Sequence, residues 1–285
     1  MYRIVTKSRP ASFTTLLVVE APHVAAKAQA GQFVIVRADE NGERVPLTIA
    51  DYDREKGTIT MVVQPVGHST GEICSLKEGE SLQDVAGPLG NPSEMISNGT
   101  VVCIGGGIGI APVYPIARAF KALGNKVITI IGARSADYLF WEEKLRAVSD
   151  ELHIATDDGT KGLKGFVTQP LQELIDSGTK IDRVIAIGPL IMMKNVANTT
   201  RPHGVKTIIS LNTIMVDGTG MCGSCRVTVG GKTRFSCVDG PEFDAHEVNF
   251  DELFARGKIY VAEEVAAREA YEHMKDGVPL CLQRK

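Results

Sequence analysis

The sequence predicts a β-barrel, then an α/β domain with a parallel sheet, then a small cysteine-rich C-terminal segment. Residues 1–97 alternate short strand-like runs with turns and show little helical periodicity. From Thr100, short apolar runs alternate with helical stretches, which is typical of a parallel sheet covered on both faces. Beyond Thr207, three cysteines fall close together among glycines. We therefore expect three parts, at residues 1–97, 98–206 and 207–285.

The composition is that of a folded, soluble protein without a nucleic-acid or membrane partner. The chain has 285 residues, of which 44% are hydrophobic and 23% charged, enough to bury a substantial core. Its 31 basic and 34 acidic residues give a net charge of −3, with no basic region suited to nucleic acid. The longest apolar stretch, residues 184–193, is too short to cross a bilayer, and the N-terminus lacks the apolar region of a signal peptide. We expect a cytoplasmic protein.

The first part is predicted to be a small antiparallel barrel. Strand-like runs occupy residues 12–19, 32–37 and 58–63, and they are separated by turn residues. Helical periodicity first appears at residues 70–76. The polar segment 93–99 marks the boundary with the second part.

The second part alternates four predicted strands with three predicted helices. Cys103 would be a core residue of the first strand, and Trp141 would pack on the second helix. This alternation predicts strand–helix–strand units and a parallel sheet. The strands are residues 101–104, 127–131, 152–156 and 184–187; the helices are residues 111–123, 136–148 and 168–177. A further helix is predicted at Val261–Met274 in the third part.

A glycine-rich turn follows the first strand of the second part. Glycines allow the backbone to approach a pyrophosphate, and the next helix offers free N–H groups at the positive end of its dipole. The candidate nucleotide-binding residues are Gly106, Gly107, Gly109, Ala111 and Pro112, and Pro112 stands where the common dinucleotide motif has a third glycine. A purely structural glycine turn is the alternative reading.

The later strands of the second part should end at the same rim, where ligands bind to open parallel sheets. Arg134 and Ser135 follow the second strand and are candidates for the adenosine ribose or a 2′-phosphate, although Arg134 also fits a solvated loop charge. Asp157 follows the third strand, and Gly188 and Pro189 follow the fourth.

The first part carries three short motifs, each of which alone is an ordinary turn. One includes Arg44, Pro46, Leu47 and Thr48; another is Gly67, His68, Ser69 and Thr70, which opens a helix and suits a phosphate. The third, residues 87–91, closes the barrel. In this order, ahead of a Gly-Xaa-Gly-Xaa-Xaa-Pro sheet domain, they resemble the ferredoxin–NADP reductase superfamily.

This resemblance implies FAD in the barrel and a nicotinamide nucleotide on the sheet. It implies that Pro46, Leu47 and Thr48 border the isoalloxazine, with Thr48 near N5 as the catalytic residue, and that residues 67–70 hold the FAD pyrophosphate. The family places an arginine where Val45 stands, so Arg44 is the candidate one position earlier. The family also often has a cysteine where Ile187 stands.

Cys222, Cys225 and Cys237 form a compact set in a glycine-rich region, and thiolates suit zinc or iron–sulfur. The fourth ligand decides between the two. His246 would complete a three-cysteine, one-histidine zinc site. Asp217 instead precedes Cys222 by the spacing of plant-type [2Fe–2S] loops. Cys74 and Cys281 are given no role.

The cysteine region resembles electron-transfer subunits of dihydroorotate dehydrogenase. Within that family, the aspartate and the run from Cys237 to Phe243 look like one branch, the small subunits of NADH-dependent reduced ferredoxin:NADP oxidoreductases. The branch implies a [2Fe–2S] cluster held by Asp217, Cys222, Cys225 and Cys237. It also implies a larger flavoprotein partner with iron–sulfur clusters, through which electrons reach ferredoxin.

We therefore expect an electron-transfer flavoprotein subunit, an NAD(P)H-dependent oxidoreductase that uses FAD, a [2Fe–2S] cluster and NAD(H). Arg134 and Ser135 leave NADP(H) open. Two alternatives remain: a dihydroorotate dehydrogenase electron-transfer subunit, and a non-enzymatic nucleotide-binding module with a structural zinc.

Overall fold

Residues 1–274 are described by a computed structural model, so Cys281 lies outside the described residues. The N-terminal part is an antiparallel barrel of two sheets, one of five strands (order β5-β6-β2-β1-β7) and one of three (β4-β3-β8). Two helices, α1 (Pro22–Lys27) and α2 (His68–Ser75), accompany it. The strands are β1 (Tyr2–Ser8), β2 (Thr15–Glu20), β3 (Phe33–Arg37), β4 (Val45–Thr48), β5 (Asp51–Asp53), β6 (Thr58–Val63), β7 (Ser81–Leu82) and β8 (Asp84–Leu89).

The second sheet has seven strands in the order β12-β11-β10-β9-β13-β14-β17, parallel except for the pair β14–β17. Its strands are β9 (Thr100–Gly106), β10 (Lys126–Ala133), β11 (Glu151–Thr156), β12 (Leu163–Lys164), β13 (Arg183–Ile187), β14 (Thr207–Ser210) and β17 (Glu242–Asp244). The connecting helices are α3 (Ile110–Ala122), α4 (Glu142–Ala147), α5 (Thr168–Asp176) and α6 (Leu190–Thr200). The predicted class, a β-barrel joined to a parallel-sheet domain, is confirmed.

The sheet continues beyond residue 206, because β14 and β17 both belong to it. Between them the chain forms the cysteine loop and a hairpin of β15 (Arg226–Val229) and β16 (Lys232–Phe235). Helices α7 (Phe250–Arg256) and α8 (Val261–Met274) follow. The cysteine segment is therefore built into the edge of the nucleotide sheet.

Buried apolar side chains form one core inside the barrel and one on each face of the second sheet. The barrel core includes Ile4, Leu17 and Met61, all fully buried. Phe120 on α3 is fully buried on one face of the second sheet, and Leu171 on α5 covers the other. The described part of the chain has no helix with the length and apolarity needed to cross a membrane.

The predicted helix at residues 136–148 is wrong in its first part, residues 136–141, and right at residues 142–147. The chain makes a short 3-10 turn at Ala136–Tyr138, continues in extended form, and begins α4 only at Glu142. Trp141 adopts a left-handed backbone conformation with φ 59° at the start of α4, and its ring meets those of Tyr114 and Phe140 edge-on. Burial of Leu139 and Phe140 interrupts the helix, since tertiary packing overrides local propensity.

Several observed elements were not predicted, and two of them show why. Strand β1 begins at residue 2 and pairs with both β2 and β7, so it is an interior strand of the five-stranded sheet. Helix α6 directly follows Gly188 and Pro189, in a stretch whose first residues extend the apolar run of β13. A continuous apolar run does not mark where a buried strand ends and a helix begins.

Asp51 ties the barrel to the second domain. Its carboxylate accepts a hydrogen bond from Arg118 of α3 at 2.7 Å and one from Lys144 of α4 at 3.1 Å. The Arg118 guanidinium also lies over the rings of Tyr52 and Tyr114, with its central carbon 5.3 and 5.2 Å from their centroids. One barrel carboxylate therefore binds cations from two helices of the other domain.

We expect Asp51→Asn to lower the free energy of unfolding by about 1 kcal/mol at low salt, since partly exposed ion pairs contribute at most that. The loss should shrink at high salt because screening weakens the ion pairs in the wild type. Thermal denaturation at two ionic strengths measures both. Asp53→Asn on the same strand is the matched control, because the ion pair of Asp53 is made with exposed Lys56 of the following turn, within the barrel. Equal shifts for the two variants would contradict the role given to Asp51.

Candidate functional site

The glycine turn after β9 has two kinds of glycine. A Cβ on Gly109 would overlap the carbonyl of Ile187, and one on Gly105 would lie 2.9 Å from the Cα of Ile110, so both are required for the strand and helix to approach. Gly107 has φ +55°, and a Cβ there would meet no atom within 4 Å. The turn is therefore closed by protein at Gly109 and open at Gly107, where a ligand can approach.

The remaining nucleotide candidates lie around this turn at the carboxyl ends of the strands. Ala111 is buried at the start of α3, whereas Arg134 is exposed after β10. The ends of β10 and β11 are joined by hydrogen bonds from the N–H of Asp157 to Ala133 and from that of Asp158 to Arg134. Other candidates at this rim are Gly106, Pro112, Ser135, Gly188 and Pro189, with Gly188 against Gly106 and Met192. Phe166, which sequence reasoning missed, is 66% exposed just after β12.

The flavin motif forms β4, an edge strand of the three-stranded sheet. Its residues Pro46, Leu47 and Thr48 are half-buried, and Arg44 just before it is exposed. In the ladder with β3, Thr48 lies opposite Phe33. The motif therefore has one edge free of strand pairing and one edge fixed to β3.

The second barrel motif forms the N-terminus of α2. Thr70 caps it, because its hydroxyl oxygen accepts hydrogen bonds from the N–H groups of Val66 (3.0 Å) and Gly67 (3.1 Å). Ser69 donates to Glu43, and the Nε2 of His68 is 3.6 Å from Glu72. A Cβ on Gly67 would meet nothing within 4 Å. The first-turn N–H groups of a helix have no partners inside the helix, so this end suits an anionic group.

Cys225 and Cys237 come together beneath the barrel. Their sulfurs are 3.2 Å apart, and both residues are only 2% exposed. They pack with Phe33 and Ile35 of β3 and with Met215. Burial and the neighbouring thiol of Cys225 raise the pKa of Cys237 to about 12. Without a metal, burial keeps these two thiols protonated. A bound metal would stabilise them as thiolates.

Asp217 and Cys222 lie on the loop that leads into this pair. The Asp217 carboxylate accepts hydrogen bonds from the N–H groups of Thr219 (2.7 Å) and Cys222 (2.8 Å). The first of these bonds holds the pKa of Asp217 below its usual value. Cys222 is exposed, and hydrogen bonding from Ser224 lowers the pKa of its thiol. Gly218, Gly220 and Gly223 all have positive φ, which lets the loop turn tightly.

The predicted ligands are partly assembled. Within residues 1–274, no three His, Cys, Asp or Glu side chains are gathered closely enough to hold a metal ion. Cys225 and Cys237 are brought together, whereas Asp217 and Cys222 lie on the preceding loop. Three thiols and one carboxylate, two of the thiols buried in apolar surroundings, fit an iron–sulfur cluster. Metal sites often take their final geometry only when the metal binds.

The zinc alternative loses its fourth ligand. The Nε2 of His246 is 2.9 Å from the hydroxyl oxygen of Thr200 on α6. The backbone N–H of His246 donates a hydrogen bond to the carboxylate of Asp244. Burial lowers the pKa of His246. This side chain belongs to the packing between α6 and the sheet, and sequence spacing did not reveal that.

Comparisons with known proteins agree with this geometry. Residues 212–249 match the iron–sulfur cluster binding domain of dihydroorotate dehydrogenase B, and residues 103–198 match an oxidoreductase NAD-binding domain. A Thermotoga maritima homologue of the dihydroorotate dehydrogenase B (NAD(+)) electron transfer subunit is 49% identical over 253 residues, covering 89% of each chain. The chain belongs to this family. An uncharacterised Clostridium beijerinckii protein from the adh 3′ region is 48% identical, covering 94% of this chain and 93% of that one.

Solved structures agree with the family assignment. A chain of the NADH-dependent reduced ferredoxin–NADP oxidoreductase, solved to study flavin-based electron bifurcation, matches with a TM-score of 0.90 and 46% identity, covering 95% of this chain and 98% of that one. Phthalate dioxygenase reductase, at 17% identity and a TM-score of 0.58, covers 80% of this chain and 85% of that one and shares the fold.

The chain is an oxidoreductase of the electron-transfer subunit type. It carries an NAD-binding domain and an iron–sulfur binding domain behind a barrel of the ferredoxin reductase kind. The predictions of the resemblance, of an electron-transfer function and of FAD, NAD(H) and iron–sulfur cofactors are confirmed. Which side chains hold each cofactor stays a prediction.

We expect two glycine substitutions in the nucleotide turn to act differently. Gly107→Ala has room, so it should cost about 1–2 kcal/mol of stability for its left-handed backbone and should raise the KM for the nicotinamide nucleotide. Gly109→Ala should destabilise more, because the new methyl group overlaps the backbone at Ile187. Thermal denaturation measures the stabilities, and steady-state oxidation of NADH with an artificial electron acceptor measures the KM. A Gly107→Ala enzyme with unchanged KM would contradict the open face assigned to this glycine.

Proposed function

We propose that this chain passes electrons between NAD(H), FAD and a [2Fe–2S] cluster as the small subunit of an NADH-dependent reduced ferredoxin–NADP oxidoreductase. The observation that carries the proposal is the double role of β3. Phe33 lies opposite Thr48 of the flavin motif and also packs with Cys225 and Cys237. When bound, FAD exchanges a hydride with the nicotinamide and single electrons with the cluster, and the protein supplies position and burial.

In this proposal the barrel holds FAD through its two motifs. Thr48 is the residue near N5, on a strand whose other edge β3 fixes. Pro46 and Leu47 line the ring system, and Arg44 is exposed beside them for a phosphate. The N-terminus of α2, residues 67–70, offers N–H groups to the pyrophosphate, while Thr70 keeps the helix end in place through its cap.

The nucleotide lies along the rim of the sheet. Its pyrophosphate approaches the open face at Gly107, next to Gly106, Gly109, Ala111 and Pro112 at the start of α3. Arg134, Ser135 and Asp157 face the adenosine ribose from the ends of β10 and β11. Gly188 and Pro189 lie beside the turn on the nicotinamide side. We propose that the chain prefers NAD(H) to NADP(H), because the names of two related proteins specify NAD(+) and NADH.

The cluster is held by Asp217, Cys222, Cys225 and Cys237. The glycines on either side of Cys222 allow the loop to bring Asp217 and Cys222 to the buried pair. Asp217 would then exchange its hydrogen bonds to Thr219 and Cys222 for iron. The thiols would release their protons to solvent on binding, and the iron–thiolate bonds would offset the cost that the raised pKa of Cys237 places on that release.

A larger flavoprotein with iron–sulfur clusters is the proposed partner, and ferredoxin exchanges electrons through it. Met221, beside Cys222 on the cluster loop, is 88% exposed, and Val216 and Val238 nearby are also exposed. We place the contact with the second subunit at this edge of the cluster loop, since groups of exposed apolar side chains mark interaction sites more often than single ones do.

A dihydroorotate dehydrogenase electron-transfer subunit is the second candidate, and the family assignment favours it as a class. Such a subunit would use the same cofactors with a different partner. Asp217 stands where cysteine is expected in plant-type loops, and this argues for the first candidate.

The relay is tested on protein purified without air together with its neighbouring subunits. We expect bound FAD, acid-labile sulfide and faster reduction of the flavin by NADH than by NADPH in stopped-flow measurements. The purified subunit alone should be inactive with ferredoxin and NADP, and the complex should be inactive with orotate and dihydroorotate. Preference for NADPH would overturn the nucleotide assignment, and turnover of dihydroorotate would support the second candidate.

Substitutions of Asp217 separate ligation from loop support. Asp217→Asn keeps an acceptor for the loop N–H groups but not the carboxylate, so we expect a folded protein with reduced iron content. Asp217→Cys should retain the cluster with a changed visible and paramagnetic resonance spectrum, and Asp217→Ala should lose most of it. Asp239→Asn is the control, because Asp239 also accepts a backbone N–H in this segment, that of Phe235 at the end of β16. An unchanged spectrum in all Asp217 variants would refute ligation.

A further inference from the structure

The linker between the two domains is bound on both sides over residues 90–93. On the barrel side, the N–H of Ser93 donates to Ala30, and the side chain of Gln32 donates to Gly90 at 2.9 Å. On the other side, Asn91 donates its backbone N–H to Gly240 and its amide to Val238. The linker therefore joins the barrel to the segment that follows the last cysteine.

Glu242 completes this joint from β17. The hydroxyl of Ser93 donates to its Oε1 at 2.6 Å. The barrel loop comes close at the same point, because a Cβ on Gly31 would lie 2.9 Å from Oε1 of Glu242 and 2.9 Å from the N atom of Ser93. Three segments that are distant in sequence thus meet at one carboxyl group.

The charged and titratable groups around Glu242 come from three elements. Arg183 of β13, only 6% exposed, donates to the carbonyl of Glu94 and lies 3.3 Å from the Glu94 carboxylate. Arg183 is therefore mainly occupied by the linker. Cys103 of β9 is fully buried, and this burial, with a smaller contribution from the charge of Glu242, raises the pKa of its thiol.

Protonation of Glu242 is favoured by its surroundings. Burial raises the pKa of Glu242 to about 7, and the charge of Glu94 acts in the same direction, while Ser93 and Arg183 oppose them. Glu242 therefore holds its proton more strongly in the closed joint than in water, where its pKa is that of an ordinary glutamate.

We propose that Glu242 and Ser93 form a proton-controlled joint that fixes the cysteine segment to the linker and the barrel. A proton taken from solvent neutralises Glu242 and leaves the joint closed. Loss of that proton leaves a charge on Glu242 with little water to solvate it and with the charge of Glu94 nearby, and this favours opening. This inference concerns the apoprotein contacts themselves and holds whichever of the two candidate functions is correct.

The direction of the pH effect follows from the pKa of Glu242 in the closed and the opened joint. The closed joint keeps its proton up to about pH 7, whereas an opened joint releases it at the pKa of free glutamate. Opening should therefore become more favourable as the pH rises between these two values, by up to about tenfold per pH unit. Above pH 7 both states are deprotonated, and the opening equilibrium should level off.

Hydrogen–deuterium exchange of the full chain from pH 5 to pH 8 tests this, with rates corrected for the intrinsic pH dependence of exchange. In the wild type, protection of residues 90–93 and 238–242 should fall by at least about tenfold between pH 5 and pH 7 and then stay constant. Protection that does not change with pH in the wild type overturns the proposal without any variant.

Three variants separate the proton from the contact. Glu242→Gln keeps an oxygen acceptor for Ser93 without a charge, so its protection should be high at every pH. Glu94→Gln, the matched charge-removal control, should keep the transition and move it to lower pH. Ser93→Ala should lower protection at every pH and keep the transition. A Glu242→Gln protein with the wild-type pH dependence would overturn the assignment to Glu242.

Discussion

The packing of the barrel strand β3 against the cysteine segment is the contact on which the arrangement of this protein depends. Val34 and Val36 point into the barrel core, whereas Phe33 and Ile35 point away from it and cover Cys225 and Cys237. The alternation of side chains along a strand makes both contacts possible at once. A single short strand therefore belongs to the flavin domain and to the wall of the cluster site.

The linker also contacts two parts of the molecule at once, the barrel and the edge of the second sheet. Strands β14 and β17 place the cysteine segment at the edge of the nucleotide sheet, and residues 90–93 fasten that edge to the barrel. A change in the position of the linker would therefore displace the segment that follows Cys237. Glu242 is a titratable group at this joint, so its protonation affects how the linker, the barrel and the cysteine segment are held together.

Sequence patterns predicted β9, β10, β11 and β13, the four contiguous buried strands of the second sheet, because buried strands and glycine turns are local signals; β12, β14 and β17 were not predicted. The strand at Thr58–Val63 was placed at the observed bounds, and the helix after the nucleotide turn within one residue at each end. The first part of the helix predicted at residues 136–148 is not an α-helix, since Leu139 and Phe140 pack against distant side chains and Trp141 takes a left-handed conformation. No local propensity reports such contacts.

The sequence by itself determined the order of the parts, the glycine turn at residues 105–109 and the candidate ligands Asp217, Cys222, Cys225 and Cys237, because each depends on residue type and spacing. Only the tertiary structure showed that Cys225 and Cys237 lie under Phe33, that His246 is bound to Thr200, and that Glu242 meets Ser93. Those contacts join segments far apart in the chain, and the folding of the whole molecule brings them together.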